Sequence, residues 1–190
     1  MGAIQITESK YLTDDETDHL IKLCKECRGE RDSILLRVLL YTGARGCEAL
    51  ELTPKDFSNQ GSVTIKGAKG SNDRTVPLTS DDYLFPKEIR EYIIKYNIKP
   101  NEPVFNITTR RLRQIWDFWR PNPYKGSHSI RHTTGIKCYL SCADIHKVKS
   151  LLGHRQINNT QIYVDFCHGP RTLSRAMKGM WKKRINEEKE

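Results

Sequence analysis

The 190-residue sequence has no apolar run near the ~20 residues that a membrane-spanning helix needs. Its N-terminus carries no signal-peptide pattern, and its 12 glycines and 8 prolines form neither a repeat nor a linker. The six cysteines show no disulfide framework, and the pair Cys24 and Cys27 lacks the second pair that a zinc site would need. We therefore expect a cytoplasmic protein with reduced thiols and no membrane partner.

The net positive charge of the chain lies entirely in its second half, because acidic residues are scarce there. Residues 1–95 carry 14 Lys/Arg and 16 Asp/Glu, a net charge of −2, whereas residues 96–190 carry 18 and 7, a net charge of +11. Such an asymmetry favours a partner with a dense negative surface, and nucleic acid is the usual one. A soluble basic domain whose lysines and arginines only face water remains the alternative at this stage.

Apolar spacing predicts a mainly α fold with one small antiparallel β-sheet in a single domain. A capping-box pattern at Thr13–Glu16 marks the first helix, and two strands at 62–66 and 74–78 form a hairpin with a longer loop. The remaining helices are predicted over 32–41 and 47–52, from Pro86, from Thr108 or Thr109, over 127–140 and 143–152, after a cap at Asn158-Asn159, and in the tail from Arg171.

Two short segments place cationic side chains where a phosphate could bind. In Thr42-Gly43-Ala44-Arg45, an arginine follows a glycine turn at a helix start, and Glu48 lies three residues on to brace it. Lys69 lies at the tip of the hairpin. An ordinary surface arginine and a solvated loop lysine are the commoner explanations of such residues taken singly.

The segment 128–132 is less easily explained as core or surface. His128 and Arg131 are three apart and share a helical face, which puts an acid–base group beside a fixed cation. His132 is expected to point elsewhere and to be structural. Leu151–His154 ends a helix at a glycine, and Tyr163 follows nine residues after His154.

Together these segments resemble the catalytic domain of the tyrosine recombinases, the phage-integrase family. The boxes are T-G-x-R-x-x-E at 42–48, the hairpin lysine with R-x-V-P-L at 74–78, H-x-I/L-R-H at 128–132, L-L-G-H at 151–154 and T-x-x-Y ending at Tyr163. Five motifs occur in family order over roughly residues 11–165, which makes the set specific.

The resemblance implies an enzyme that cuts and rejoins DNA without metal or nucleotide. Tyr163 is the implied nucleophile, and it leaves a 3′-phosphotyrosine link and a free 5′-hydroxyl. Arg45 and Arg131 would hold the nonbridging oxygens. Lys69 is the implied general acid. Among the remaining site residues, His128 is the acid/base near the tyrosine oxygen, His154 is a hydrogen-bond donor to the phosphate, and Glu48 braces Arg45.

The resemblance also implies double-stranded DNA with a specific recombination site as partner. A homotetramer on DNA, a monomer when free, and accessory DNA-bending proteins are the expected assemblies. We expect residues 1–10 to be either an N-terminal tail or the remnant left where the family's usual N-terminal clamping domain was removed. Residues 11–168 are expected to be the catalytic domain and 169–190 an amphipathic helix. That helix would dock in cis or on a neighbouring protomer. Cys47, unusual in the arginine box, is expected to pack as a small apolar side chain.

Several functions fit these expectations. DNA integration or excision for a phage or other mobile element leads, and chromosome or plasmid dimer resolution is the alternative within the family. Type IB topoisomerases and telomere resolvases share the tyrosine chemistry. A basic DNA-binding module without chemistry is the alternative from another class.

Overall fold

The computed structural model describes residues 6–27, 30–68, 70–78 and 82–169. In these residues eight α-helices accompany one two-stranded antiparallel sheet, so the predicted mainly α fold with a small sheet is confirmed. The elements are α1 (Asp14–Glu26), α2 (Arg31–Thr42), α3 (Gly46–Leu50), β1 (Ser62–Ile65), β2 (Arg74–Pro77), α4 (Phe85–Lys95), α5 (Thr109–Trp119), α6 (His128–Cys142), α7 (Ile145–Leu152) and α8 (Asn158–Cys167). Single 3₁₀ turns lie at Glu8–Lys10 and Pro54–Asp56.

Local capping explains where several helices begin. The Thr13 hydroxyl accepts the backbone N–H of Glu16, and the Glu16 carboxylate accepts the N–H of Thr13 at 2.8 Å, which completes the predicted capping box of α1. The Thr108 side chain caps α5, and Pro86 lies in the first turn of α4 as predicted.

Three local expectations are wrong. Asn158 and Asn159 do not cap α8, because they already lie inside its first turn and Ile157 occupies the N-cap without a side-chain bond. The helix α7 starts at Ile145, not at residue 143, since the Asp144 carboxylate caps it. Cys47 is exposed and does not pack in the interior, because the short helix α3 buries Glu48 and Ala49 and leaves Cys47 facing solvent.

The hairpin loop lies against the end of α7. Val63 pairs with Val76 and Ile65 with Arg74, and this register keeps the three apolar side chains buried. Beyond the strands, Asn72 donates its N–H to the carbonyl of Gly153 at 2.8 Å. The loop that connects β1 and β2 is thereby held beside the L-L-G-H segment.

Helix α6 separates two hydrophobic clusters. Its Ile130 belongs to the larger one, which is built around α2, the sheet, α4 and α5. Its Ile136 and Tyr139 belong to a smaller one that also contains Ile6, Val148, Leu152, Tyr163 and Cys167. The H-x-I/L-R-H motif lies at the start of α6, where Ile130 anchors the helix in the larger cluster.

Two predicted features lie outside the described residues: the hairpin lysine Lys69 and the tail helix from 171 to 190. Within the described ranges, no helix combines the length and apolar character that crossing a membrane would take.

Candidate active site

Arg131 lies buried where two helices end. Its Nη1 donates to the carbonyl of Gly43 at 2.6 Å, and its Nη2 donates to the carbonyl of Leu152 at 2.7 Å. Gly43 follows α2 with a φ of 61°, and Leu152 is the last residue of α7. Burial lowers the pKa of Arg131 to about 10, and nearby Arg45 adds to this effect. The guanidinium therefore stays charged at neutral pH and has a fixed orientation.

Arg45 is held at the start of α3 by Glu48. The Glu48 carboxylate accepts the backbone N–H of Arg45 at 3.0 Å and its Nη1 at 3.1 Å. The same carboxylate accepts Nη2 of Arg74 at 2.7 Å. Burial would raise the pKa of Glu48, but the hydrogen bonds from Arg74 and Arg45 lower it below its ordinary value. The predicted brace is present, and the side chain of Arg45 keeps 29% of its surface exposed for a ligand.

His128 and both arginines line one small cavity of about 30 Å³. Because both side chains line this cavity, His128 and Arg131 share a face of α6, as the sequence predicts. Burial lowers the pKa of His128, and the charges of Arg131 and Arg45 lower it further. Two cations and a neutral imidazole around one cavity form a binding site for an anionic group.

His154 is oriented by Thr160, the threonine of the T-x-x-Y motif. Its Nδ1 lies 2.9 Å from the buried Thr160 hydroxyl, and its ring is nearly parallel to that of Tyr163, with an interplanar angle of 9° and centroids 6.4 Å apart. Burial lowers the pKa of His154 to about 4, and Arg131 and Arg45 contribute. At neutral pH this histidine is an uncharged hydrogen-bonding group.

Tyr163 is 1% exposed and belongs to the smaller hydrophobic cluster. Its ring lies against α6 at Gly135, where a Cβ atom would come within 2.7 Å of Cε1 and Cζ. Burial raises the pKa of the phenol to about 12, although Arg131 and Arg45 oppose the increase. The two arginines therefore lie close enough to Tyr163 to act on it electrostatically.

The sequence profile described as the phage integrase family matches residues 10–167. This chain belongs to that family. It is 30% identical over 145 residues to the tyrosine recombinase XerC of Rickettsia bellii, with 70% of this chain and 46% of the relative covered. It is 27% identical over 170 residues to the tyrosine recombinase XerA of Pyrococcus furiosus, with 83% of this chain and 57% of the relative covered. The chain thus spans about half the length of these curated relatives.

Solved structures of the phage integrase family share the fold. The XerH site-specific recombinase in a pre-cleavage complex with its difH substrate superposes with a TM-score of 0.67 at 25% identity, over 84% of this chain and 50% of that one. The catalytic domain of bacteriophage HP1 integrase gives a TM-score of 0.59 at 25% identity, over 90% and 95%. The second comparison matches nearly the whole of a family catalytic domain.

The structure also contradicts the expectation for His132. The Tyr163 oxygen lies 3.3 Å from Nδ1 of His132, and the rings of His132 and His128 meet edge to face at 4.9 Å. Residues four apart on a helix share a face, so His132 points to the site with His128 and not elsewhere. Within the described ranges, His128 makes no hydrogen bond to Tyr163.

Sequence reasoning also missed the contacts of the hairpin loop. The Arg45 guanidinium donates to the hydroxyl of Ser71, which is 3% exposed. On the other side of Lys69, the N–H of Ala68 donates to Glu48 at 3.3 Å. Both flanks of the lysine are therefore attached to the arginine box. The sequence carries no signal for these contacts, because they join positions at least 20 residues apart.

Within the described part of the chain, no group of three or more His, Cys, Asp and Glu side chains is placed to hold a metal ion. The residues that come together are instead two arginines, three histidines and a tyrosine. Such a set can bind a phosphate diester, supply an oxygen nucleophile and move protons.

Proposed function

We propose that this chain is the catalytic domain of a site-specific tyrosine recombinase that acts on double-stranded DNA. The Tyr163 oxygen attacks the scissile phosphorus, an O–P bond forms, and the bond to the 5′-oxygen breaks. A 3′-phosphotyrosine and a 5′-hydroxyl result, and a 5′-hydroxyl from another strand reverses the step. The observation that carries the proposal is the arginine-lined cavity whose two cations also act on the buried phenol.

The arginines stabilise the charge that develops on the phosphate. The pentacoordinate transition state places extra negative charge on the nonbridging oxygens, which Arg45 and Arg131 hold with charge-assisted hydrogen bonds. Both guanidiniums are oriented by protein acceptors before DNA arrives, Arg45 by Glu48 and Arg131 by two carbonyls. Preorganised donors of this kind contribute on the order of 3 kcal/mol each.

The remaining roles concern protons and the phosphate oxygens. Lys69 is the general acid for the leaving 5′-oxygen, an assignment that rests on the family resemblance. His154 donates a hydrogen bond to a phosphate oxygen, with Thr160 fixing its ring. His128 lines the phosphate cavity beside Arg131 and acts as an acid/base there.

The assembly follows from the chemistry of strand exchange. Two rounds of cleavage and rejoining on paired sites need four active sites, so we expect a homotetramer on DNA and a monomer when free. The segment 169–190 would connect the protomers, and accessory DNA-bending proteins would bring the sites together. Such a reaction takes place in the cytoplasm, at the nucleoid.

A covalent-trapping experiment tests the proposal. The protein is mixed with a pool of nicked duplexes of randomised sequence, on which cleavage releases a short fragment and traps the adduct. Wild-type chain should yield an adduct that survives denaturant, and sequencing the trapped DNA should return a preferred site. Tyr163→Phe should bind DNA with near-normal affinity and yield no adduct. An adduct with the Phe variant, or none with wild type, would contradict the proposed chemistry and favour a DNA-binding module.

The products distinguish the biological roles. With two copies of the trapped site on one circular DNA, a recombinase exchanges strands and changes the connectivity, whereas a topoisomerase only relaxes supercoils. Integration and excision by a mobile element join two different sites, while dimer resolution acts on two identical sites. The Xer names of the relatives make identical sites the first substrate to try.

A further inference from the structure

Among the described residues, the nucleophile of the proposed reaction has one side-chain hydrogen-bond partner, and it is not the histidine expected from the sequence. Tyr163 Oη lies 3.3 Å from His132 Nδ1, while the ring is confined by Gly135 on α6 and by the parallel ring of His154. Hydrogen bonds of catalytic bases are often slightly long before substrate binds, so this distance fits an acceptor that is ready to tighten.

The surroundings of His132 keep its imidazole uncharged, so that one of its two nitrogens carries no proton. Burial lowers its pKa to about 4, and the charges of Arg131 on its own helix and of Lys10 on the N-terminal turn lower it further, as does His128 whenever that ring is protonated. From the other elements, the uncharged Tyr163 and His154 face it. At neutral pH the imidazole is therefore neutral and can accept a proton.

We propose that His132 is the proton acceptor for Tyr163, a role that rests on the proposed recombinase chemistry. As the O–P bond to the phenolic oxygen forms, its O–H bond breaks and the proton moves to Nδ1 of His132. The 5′-oxygen leaves with a proton from the general acid assigned to Lys69. In the rejoining step, the imidazolium returns its proton to the tyrosine oxygen as the phosphotyrosine bond breaks.

The timing of the transfer follows from the relative basicity of the two groups. Imidazole is a much weaker base than a buried phenolate, so the proton cannot leave before the attack begins. A bound phosphate brings a negative charge beside Arg131, one of the cations that lower the pKa of His132, and this charge raises that pKa again. Meanwhile the phenolic oxygen loses basicity as it bonds to phosphorus. The site thus becomes able to accept the proton when the substrate is in place.

The test uses single-turnover cleavage of the nicked duplex at saturating DNA, with His132→Ala, His132→Gln and wild type. Removing a general base costs about 10²–10⁴-fold, so both variants should cleave at least 100-fold more slowly. Their rates should rise about tenfold per pH unit between pH 7 and 9, because the phenol must then ionise unaided. The wild-type rate should be nearly flat over the same range, and added imidazole should partly restore His132→Ala.

Three controls separate this role from a structural one. His146→Ala changes an exposed histidine on α7 and should leave the rate unchanged. A substrate with sulfur in place of the bridging 5′-oxygen needs no general acid, so it should not rescue the His132 variants, whose defect lies on the nucleophile. His132→Gln keeps the size and polarity of the side chain, and its urea unfolding shows whether the domain remains folded.

The possible outcomes are distinct. If wild type forms an adduct and His132→Gln forms it as fast or faster, the hydrogen bond only restrains the phenol and the inference is overturned. Rescue by the sulfur substrate, or a folded variant without the steep pH dependence, would also overturn it. If wild type itself forms no adduct, it is the proposed recombinase chemistry that fails, and this result is distinct from those that overturn the role of His132.

Discussion

A methyl group added at Gly135 tests how closely catalysis depends on the position of the Tyr163 ring. The new Cβ would lie 2.7 Å from Cε1 and Cζ of Tyr163 and 3.1 Å from Cδ1 of Leu152. Carbon atoms in contact stay about 3.5–4.0 Å apart, so the ring must move by about 1 Å. A displacement of about 1 Å in a reacting group costs on the order of 100-fold in rate.

The effect of Gly135→Ala on stability should be small by comparison. Alanine in a helix interior is favoured over glycine by about 1 kcal/mol, whereas overpacking costs about 1–3 kcal/mol. The free energy of unfolding should therefore fall by no more than about 2 kcal/mol, as measured by urea denaturation. Single-turnover cleavage of the nicked duplex should fall about 100-fold.

Gly126→Ala is the matched control, because a Cβ atom there meets nothing within 4 Å. It should leave both the cleavage rate and the unfolding free energy close to those of wild type. If Gly135→Ala cleaves at the wild-type rate, then either the ring is not held against α6 or its position does not limit the reaction, and the reasoning fails.

Further predictions concern the acid, the histidines and the tail. Lys69→Ala should cleave slowly and recover on the 5′-sulfur substrate, whereas Arg45→Ala should not recover; equal recovery of both would remove Lys69 as the acid. The pKa of His154 lies near 4 in the folded protein and at 6.5 ordinarily, so the unfolded chain binds more protons between these values. This one group should thus lower the unfolding free energy by about 2 kcal/mol from pH 7 to pH 5; the lowered pKa values of His132 and His128 add to the total fall, so His154→Gln should still lose stability over this range, but by about 2 kcal/mol less than wild type. Deleting residues 171–190, which lie outside the described part of the chain, should impair recombination more than folding; undiminished recombination would refute coupling between protomers through this segment.

Local features of the fold follow from short stretches of sequence. The capping box at Thr13 and Glu16 needs only four residues, and the brace between Arg45 and Glu48 lies within one helical turn. Interactions of this kind have the same geometry in any protein, so spacing alone predicts them. The order of the motifs then identified the family, which no single residue does.

Contacts between distant segments could not be predicted in this way. The approach of Tyr163 to His132 depends on how closely α8 packs on α6, and that distance is set by the missing side chain at Gly135. The contact of Ser71 with Arg45 depends on where the hairpin loop meets α7. The spacing of residues along one helix predicts contacts within that helix, whereas these contacts join different elements of the fold.

The two carbonyls that hold Arg131 have a consequence for how the sequence tolerates change over generations. They belong to the C-terminal ends of α2 and α7, where helix dipoles place partial negative charge, so the arginine stabilises the junction of both helices as well as a bound phosphate. Tyr163 and Lys69, by contrast, have roles that matter mainly while DNA is being cut. In a descendant of this protein that kept only DNA binding, we expect Lys69 and the phenolic oxygen to be lost to drift early. Arg131 should persist, because losing it would leave two buried carbonyls unpaired and weaken the domain itself.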